Sequence, residues 1–256
     1  MAAAPRTIPH DMLSAYTLNG QIPTFGWYIN GVVPATTLNW TNKYLQTFID
    51  RFTRENIIKG LIGQETYHNG AKFHLHAFEK YINHIKNKKV AVIGSETPWI
   101  EAMLVNYGAR EVVTVEYNVP ICNHDIIKTI SYTDFCSSSE KYDTIVTYSS
   151  IEHSGLGRYG DPLNPNGDIE TMEHIYKSLS DGGICMVGFP VGRDCLVWNA
   201  HRIYGEIRLK LIYLNNKFKE LEWIGYNKNY IYTCPVPTGN PNCGVQPVII
   251  LQKHID

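Results

Sequence analysis

The stretch Val90-Ala-Val-Ile-Gly-Ser-Glu-Thr-Pro-Trp-Ile-Glu-Ala-Met-Leu-Val-Asn-Tyr-Gly-Ala-Arg-Glu-Val-Val-Thr-Val-Glu116 decides the fold. It opens on a short run, Val90 to Ile93, that is apolar at every position and ends at Gly94. Such a run predicts a strand buried on both faces of a parallel sheet. A helix is predicted from Pro98 to about Tyr107. Proline suits the first turn because its missing N–H has no intrahelical partner anyway. Asn106-Tyr-Gly-Ala stops that helix, with Gly108 as its C-cap. Glu111 to Glu116 then forms a second strand.

The same alternation continues downstream. Ile126 to Ile130 is a weaker third strand and Tyr142 to Tyr148 a fourth. Ile169 to Leu179 is a helix that Asp181-Gly-Gly183 ends, and Ile184 to Phe189 is a fifth strand. An amphipathic helix follows over about 200 to 214. Leu221 to Tyr226 and Pro247 to Gln252 close the chain with only a loop between them, which predicts an antiparallel pair at the sheet edge. Upstream, helices are expected over about 41 to 59 and 69 to 86. Residues 1 to 40 read as irregular, punctuated by Pro5, Pro9, Pro23 and Pro34, with Phe25, Trp27, Tyr28 and Trp40 able to cover a site. The expected division is an extension over 1–85, a possible lid, and an α/β domain over 86–256.

Composition bounds the function. The 256 residues are 44% hydrophobic and 18% charged, the balance of a folded globular chain. Seventeen tyrosines and ten histidines supply polarity without fixed charge. A formal net charge of -1 argues against a nucleic-acid partner, and Lys86-Asn-Lys-Lys89 reads as a solvated loop entering a strand. No stretch is long enough for a membrane helix and no signal peptide is evident, so a cytoplasmic protein is expected. The six cysteines form no Cys-x-x-Cys pair, which predicts reduced thiols; Cys234 and Cys243 are the one pair that could join in a secreted protein. The oligomeric state is not legible.

Two candidate sites emerge. In open α/β sheets ligands bind beyond the carboxyl ends of the strands. Gly94 lies there, followed by Ser95 and Glu96, and Glu116 ends the second strand. That spacing suits an acid that accepts from ribose hydroxyls, and hence an adenosine-containing ligand. One glycine replaces the spaced trio, and Glu96 would repel a pyrophosphate, so a dinucleotide is disfavoured against S-adenosylmethionine (SAM). Asp134 and Phe135 are candidates for the adenine, unless they form a helix start or packed turn. Trp99 and Tyr117 could border the ligand as aromatic walls, or Trp99 could pack against the N-terminal segment.

The second candidate is the loop after the fourth strand, from Tyr148 to Asp168. It carries Glu152, His153, Arg158 and Asp161 in a glycine-rich segment. His153 suits a general base, Glu152 an orienting or proton-accepting group, and Arg158 a partner for a substrate carboxylate. Asp161 could instead satisfy Arg158, and His153 could be a loop-building residue. Glu152, His153, Asp161 and Asp168 are conceivable metal ligands, but no His-x-x-x-His or cysteine cluster supports a metal. No Gly-x-Ser-x-Gly elbow supports a serine hydrolase around Ser149 or Ser150.

Three motifs carry a resemblance. They are Val92-Ile-Gly-Ser-Glu-Thr-Pro-Trp-Ile-Glu101, Thr114-Val-Glu-Tyr-Asn118 and Tyr148-Ser-Ser-Ile-Glu-His-Ser-Gly-Leu-Gly-Arg-Tyr-Gly-Asp161. On these the chain, over roughly 60 to 252, resembles the domain of unknown function family number 268, whose name implies no activity. More loosely, it resembles the class I SAM-dependent methyltransferases. Gly94, Glu116, Ser150-Ile-Glu-His153 and Asp181-Gly-Gly-Ile184 carry that likeness, with the sparse glycine motif as the departure. The resemblance implies a Rossmann-like three-layer sandwich with a mostly parallel seven-stranded sheet and a terminal antiparallel hairpin. It also implies SAM as cofactor and methyl transfer to a small molecule. Gly94, Ser95, Glu96, Trp99, Glu116, Tyr117, Asp134, Phe135, Ser149 and Ser150 would then surround the cofactor, and Tyr148, Glu152, His153, Arg158 and Asp161 the acceptor. A non-catalytic protein of the same fold acting through partners, or another nucleotide-dependent enzyme, are the alternatives.

Overall fold

A computed structural model describes residues 3–31, 38–63, 66–67, 69–235 and 244–254. Pro34 and Cys243, noted above, lie outside the described residues. In chain order the elements begin with α1 (Leu13–Tyr16), β1 (Thr24–Trp27), β2 (Asn39–Trp40), α2 (Asn42–Arg51), α3 (Arg54–Ile58) and α4 (Gly70–Lys80). There follow β3 (Lys89–Ile93), α5 (Trp99–Asn106), β4 (Glu111–Glu116), β5 (Ile121–Cys122), β6 (Ile127–Ser131), α6 (Tyr132–Ser137) and β7 (Tyr142–Tyr148). The last third holds α7 (Gly167–Ser178), β8 (Leu179–Gly188), β9 (Cys195–Asn199), β10 (His201–Ile203), α8 (Glu206–Ile212), β11 (Phe218–Ile224), α9 (Tyr230–Thr233) and β12 (Val248–Lys253).

The main sheet has seven strands in the order β11-β12-β8-β7-β3-β4-β6. β8, β7, β3, β4 and β6 pair in parallel, while β12 runs antiparallel to both β8 and β11. The last strand therefore lies inside the sheet and β11 forms the edge. Alternation sorts the apolar runs onto two layers. Val90 and Val92 join Leu45, Phe78 and Met103 from α2, α4 and α5 on one face. Ala91 and Ile93 join Phe135, Met172 and Leu209 from α6, α7 and α8 on the other. This is the Rossmann-like three-layer sandwich of class I methyltransferase type, with its terminal antiparallel hairpin. The first layer draws residues from both sides of position 85 into one core.

Several local readings are corrected. The helix expected over 41 to 59 is two, because Thr53 takes an extended backbone and its hydroxyl accepts from Asn56 N, starting α3 afresh. The helix expected over 69 to 86 ends at Lys80 and gives way to a tight turn over Ile82–His84. Helix α7 stops at Ser178, and Asp181 to Gly183 are absorbed into β8 as an irregularity against β7. Helix α8 begins only at Glu206, because His201–Ile203 pair with β9 as a strand. The N-terminal segment is not wholly irregular. Its strand β1 runs parallel to β9, in the order β1-β9-β10. No described helix is long and apolar enough to cross a membrane.

Candidate active site at the strand ends

The carboxyl ends of β3 and β4 bring the first set of residues together. Gly94 sits at φ +77°, a backbone that side chains strain to adopt, and a Cβ there would lie 1.9 Å from Ser150 Oγ. The turn at Gly94 thus lets β3 and the loop after β7 meet without a gap. Glu116 folds back across this turn: one carboxylate oxygen accepts from Ser95 N, the other from Tyr117 N at 3.1 Å. Burial pushes its pKa up to about 7, against the stabilising backbone bonds. Behind it lies a second acid that sequence reading passed over. Glu101 is fully buried and accepts from Ser95 Oγ at 3.0 Å and Thr114 Oγ1 at 2.8 Å, and burial raises it to about 7 as well. Glu96 is exposed at the tip of the turn.

The expected adenine contacts fall differently. Tyr117 is exposed and packs against Tyr132, ring centroids 4.9 Å apart. Asp134 is exposed and reciprocates with Ser131, whose hydroxyl accepts from Asp134 N and donates to its carboxylate. Phe135 is in the core between Tyr132 and Tyr142 and offers no free face to a ligand. Trp99 is likewise buried, its ring against Phe52, His74 and Tyr148, so it supports the β3 end rather than bordering a ligand. Tyr148 is buried among the same rings and donates its hydroxyl to the Gln246 carbonyl at 3.2 Å.

The loop after β7 holds the second set. Ser149 turns at φ +54°, as does Tyr67. Left-handed backbone at non-glycine residues gathers where surrounding structure overrides it, often at sites of function. Glu152 is buried on the short helical turn Ile151–His153, and its Oε2 has no partner among the described residues. Burial lifts its pKa to about 7, opposed by the Ser149 hydroxyl and by Arg158. His153 places Nδ1 2.6 Å from the Ala200 carbonyl. A carbonyl only accepts, so Nδ1 carries the proton and Nε2 is an acceptor 3.7 Å from Glu152. Burial and then Arg158 lower the His153 pKa to about 3, so it stays neutral and is a weak base.

Arg158 and Asp161 do not pair. Arg158 Nη1 donates to the Ala200 carbonyl at 3.0 Å and the guanidinium lies 5.0 Å from the Tyr159 ring centroid. Asp161 instead accepts from Gly155 N at 2.8 Å, Gly157 N at 3.1 Å and Tyr159 N at 3.3 Å, so it builds the loop. The loop is further held by residues with no sequence signal for the role. Asp168, fully buried, accepts from Arg208 Nε at 2.7 Å, Arg208 Nη2 at 2.5 Å and Tyr204 at 3.0 Å, with Arg202 Nε 3.6 Å away. Arg202 Nη1 donates to the Ser154 carbonyl at 2.7 Å, tying the ion cluster to the loop backbone. Glu152, Asp161 and Asp168 thus face different partners, and no group of three or more His, Cys, Asp or Glu is arranged for a metal among the described residues.

Depressions of about 480 Å³ beside Leu18 and Lys210 and about 310 Å³ beside His84 and Asp143 lie away from these groups. The strand ends are the better candidate, because there a buried carboxylate oxygen without a partner, Glu152 Oε2, lies beside left-handed backbone at Ser149.

Solved structures share this architecture at low identity. One is described as a candidate sarcosine dimethylglycine methyltransferase from Galdieria sulphuraria. It is 10% identical, with 83% of this chain and 99% of that chain covered and a TM-score of 0.51. Another is the N-methyltransferase NodS from Bradyrhizobium japonicum, 13% identical over 73% of this chain and 99% of that one, with a TM-score of 0.47. At such identities the likeness establishes the fold alone. No curated protein matches the sequence. A family model does match, over residues 87–230, which span the glycine turn, Glu116 and the whole loop after β7. The chain belongs to the family described as Caenorhabditis protein of unknown function, DUF268.

Proposed function

We propose that the protein binds SAM across the ends of β3, β4 and β6 and transfers its methyl group to a small molecule held against the loop after β7. The observation that carries this reading is Glu116, seated at the end of β4 and bonded to the backbone of the Gly94–Ser95 turn. Each carboxylate oxygen accepts one backbone N–H and keeps a lone pair, so the acid can still take a pair of ribose hydroxyls. The exposed ring of Tyr117 beside Tyr132 offers an apolar platform for a purine. Exposed Glu96 supplies a partner for an ammonium group. These residues fit the cofactor. SAM, when bound, supplies an electrophilic methyl group on a sulfonium.

The chain's own residues then position and deprotonate. Asp161, Arg202 and Asp168 hold the loop rigid, and orientation supplies much of the rate in such transfers. Glu152, with a pKa near neutrality, is part carboxylate at pH 7 and is the proton acceptor. His153 holds the turn through Ala200. The opposing reading, a fold that acts through partners without a cofactor, draws on Ser150, whose side chain fills the space at Gly94. Calorimetric titration with SAM and S-adenosylhomocysteine separates the two. Micromolar binding that Glu116→Ala abolishes supports methyl transfer; no binding by folded protein sinks it.

A further inference from the structure

We infer that Glu101 holds a proton in the folded protein and donates it to Ser95, whose own hydroxyl bonds the Thr97 carbonyl, which makes Glu101 a positioning residue for the turn after β3. Its bearing on a cofactor rests on the SAM reading above, whereas the place of the proton does not. Glu101 lies in the first turn of α5 and is fully buried, with Ser95 and Thr114 buried beside it. Through them it touches both strands that end at the candidate site: Ser95 follows β3 and Thr114 lies on β4.

Three pairs of oxygen atoms here stand at hydrogen-bonding distance. Thr114 Oγ1 is 2.8 Å from Glu101 Oε1, Ser95 Oγ is 3.0 Å from Glu101 Oε2, and Ser95 Oγ is also 3.0 Å from the Thr97 carbonyl. Each pair needs one hydrogen. The two hydroxyls supply two and the carbonyl none. A neutral Glu101 supplies the third: it donates to Ser95, and Ser95 donates to Thr97. An ionised Glu101 draws the Ser95 hydrogen to itself and leaves Ser95 Oγ against the Thr97 carbonyl, acceptor facing acceptor. The Thr97 carbonyl also takes Trp99 N at 2.8 Å, so the neutral arrangement ties the turn to the start of α5.

The surroundings agree. Burial opposes a charge on Glu101, and Glu116 at the end of β4 acts on it with like charge. From β5 comes the Cys122 thiol, which burial pushes up. Helix α4 brings His74 against Trp99, held neutral by burial with a pKa of about 4, and α2 brings Leu45, Phe48 and Phe52. At the far end of α5, Tyr107 meets Glu79 and Arg54. Glu116 differs from Glu101 because both its oxygens accept from backbone N–H groups, which favours the carboxylate; exposed Glu96 is the like charge beside it. Ser95 thus joins the two acids, its N–H on the charged one and its hydroxyl on the neutral one. A ligand whose hydroxyls donate to Glu116 selects the charge there, and through repulsion the proton on Glu101.

The test has two readouts on the full chain. Carbon-13 NMR of glutamate-labelled protein, with the Glu101 carboxyl identified by its loss in Glu101→Gln, should show a neutral carboxyl at pH 6 that titrates near 7. Calorimetry then follows S-adenosylhomocysteine from pH 6 to 8. Gln is the neutral mimic, its amide N–H donating to Ser95 and its oxygen accepting from Thr114. At pH 8 wild type should bind about tenfold more weakly than Glu101→Gln, because only about a tenth of it holds the proton, and at pH 6 the two should agree within about twofold. Their ratio cancels any titration of the ligand itself. Thr114→Val removes a donor that favours the ionised carboxyl, so it should move the loss of affinity to higher pH. A Glu101 carboxyl already ionised at pH 6 overturns the inference, and NMR of wild type and Thr114→Val decides this even if Glu101→Gln binds poorly. A ratio constant from pH 6 to 8, as a merely structural Glu101 would give, also overturns it. If S-adenosylhomocysteine binds and the carboxyl is ionised, methyl transfer stands and the inference falls. If the carboxyl is neutral and S-adenosylhomocysteine does not bind, the proton is where the hydrogen count puts it, and methyl transfer falls together with the bearing on a cofactor.

Discussion

Replacing Asp168 with Asn removes one negative charge from a place where two guanidinium groups depend on it. Asp168 is fully buried, as are Arg202 and Arg208 to within 2%. The carboxylate takes two hydrogen bonds from Arg208 and one from Tyr204. Breaking a buried ion pair by removing one partner costs about 3–5 kcal/mol, because the remaining charge stays desolvated. For a chain of this size that corresponds to a fall in Tm of about 6–20 °C. Burial alone would raise the Asp168 pKa, but Arg202 and Arg208 outweigh it and hold it below the usual 3.8. An acid whose folded pKa is depressed contributes stability that is complete above its unfolded pKa and is lost as pH falls through the folded one. Urea denaturation of wild type and Asp168→Asn should therefore show a constant gap from pH 7 to 5 that narrows only below about pH 4. A gap under about 1 kcal/mol at pH 7, the size of a surface pair, would refute the argument that this cluster anchors the loop after β7.

Three further outcomes are expected. Gly94→Ala should lose at least about 2 kcal/mol by denaturant titration, because its Cβ meets Ser150 Oγ and its φ is +77°; adding Ser150→Gly should restore only the steric part, and full recovery would show the backbone cost to be negligible. Glu101→Gln should gain stability relative to wild type as pH rises from about 4.5 to 7, by at most about 3 kcal/mol, because burial raises the Glu101 pKa to about 7 and its ionised form then destabilises the fold; a flat difference across that range would show Glu101 to titrate normally. The His153 imidazole, followed by NMR, should remain neutral from pH 8 down to about 4, given its pKa of about 3; titration near pH 6 would return it to the role of base.

The parallel sheet was readable because every central strand is an apolar run beside a turn signal, Val90–Ile93 before Gly94 being the plainest. What escaped was the contribution of distance. Strand β1, Thr24-Phe-Gly-Trp27, is short and glycine-broken, and its pairing with Leu196–Asn199 makes it a strand. The same pairing pulled His201–Ile203 out of the expected helix. At the candidate site, residue type drew attention to the loop after β7 but not to the contacts each residue makes. Trp99, Tyr148 and Phe135 have the chemistry of ligand contacts and the burial of core residues. Asp161 looked like a partner for Arg158, yet the positive φ of Gly155 and Gly157 accompanies backbone N–H groups directed at its carboxylate. Arg202 and Arg208 carry no local sign that they are buried, since that depends on Asp168 being brought to them from another element.

The union of β1 with β9 also sets an order of events during synthesis. Thr24–Trp27 emerges early, and its partner Leu196–Asn199 is still untranslated. Tyr16 waits similarly for the Gly155 carbonyl, and the Pro5 carbonyl for the Trp198 indole. At about 5–20 residues per second, the ribosome needs roughly 9–35 seconds to bridge that interval. Throughout it β1 lacks the strand it pairs with, while Tyr28 can already meet Ala4 and Arg6 within the leading segment.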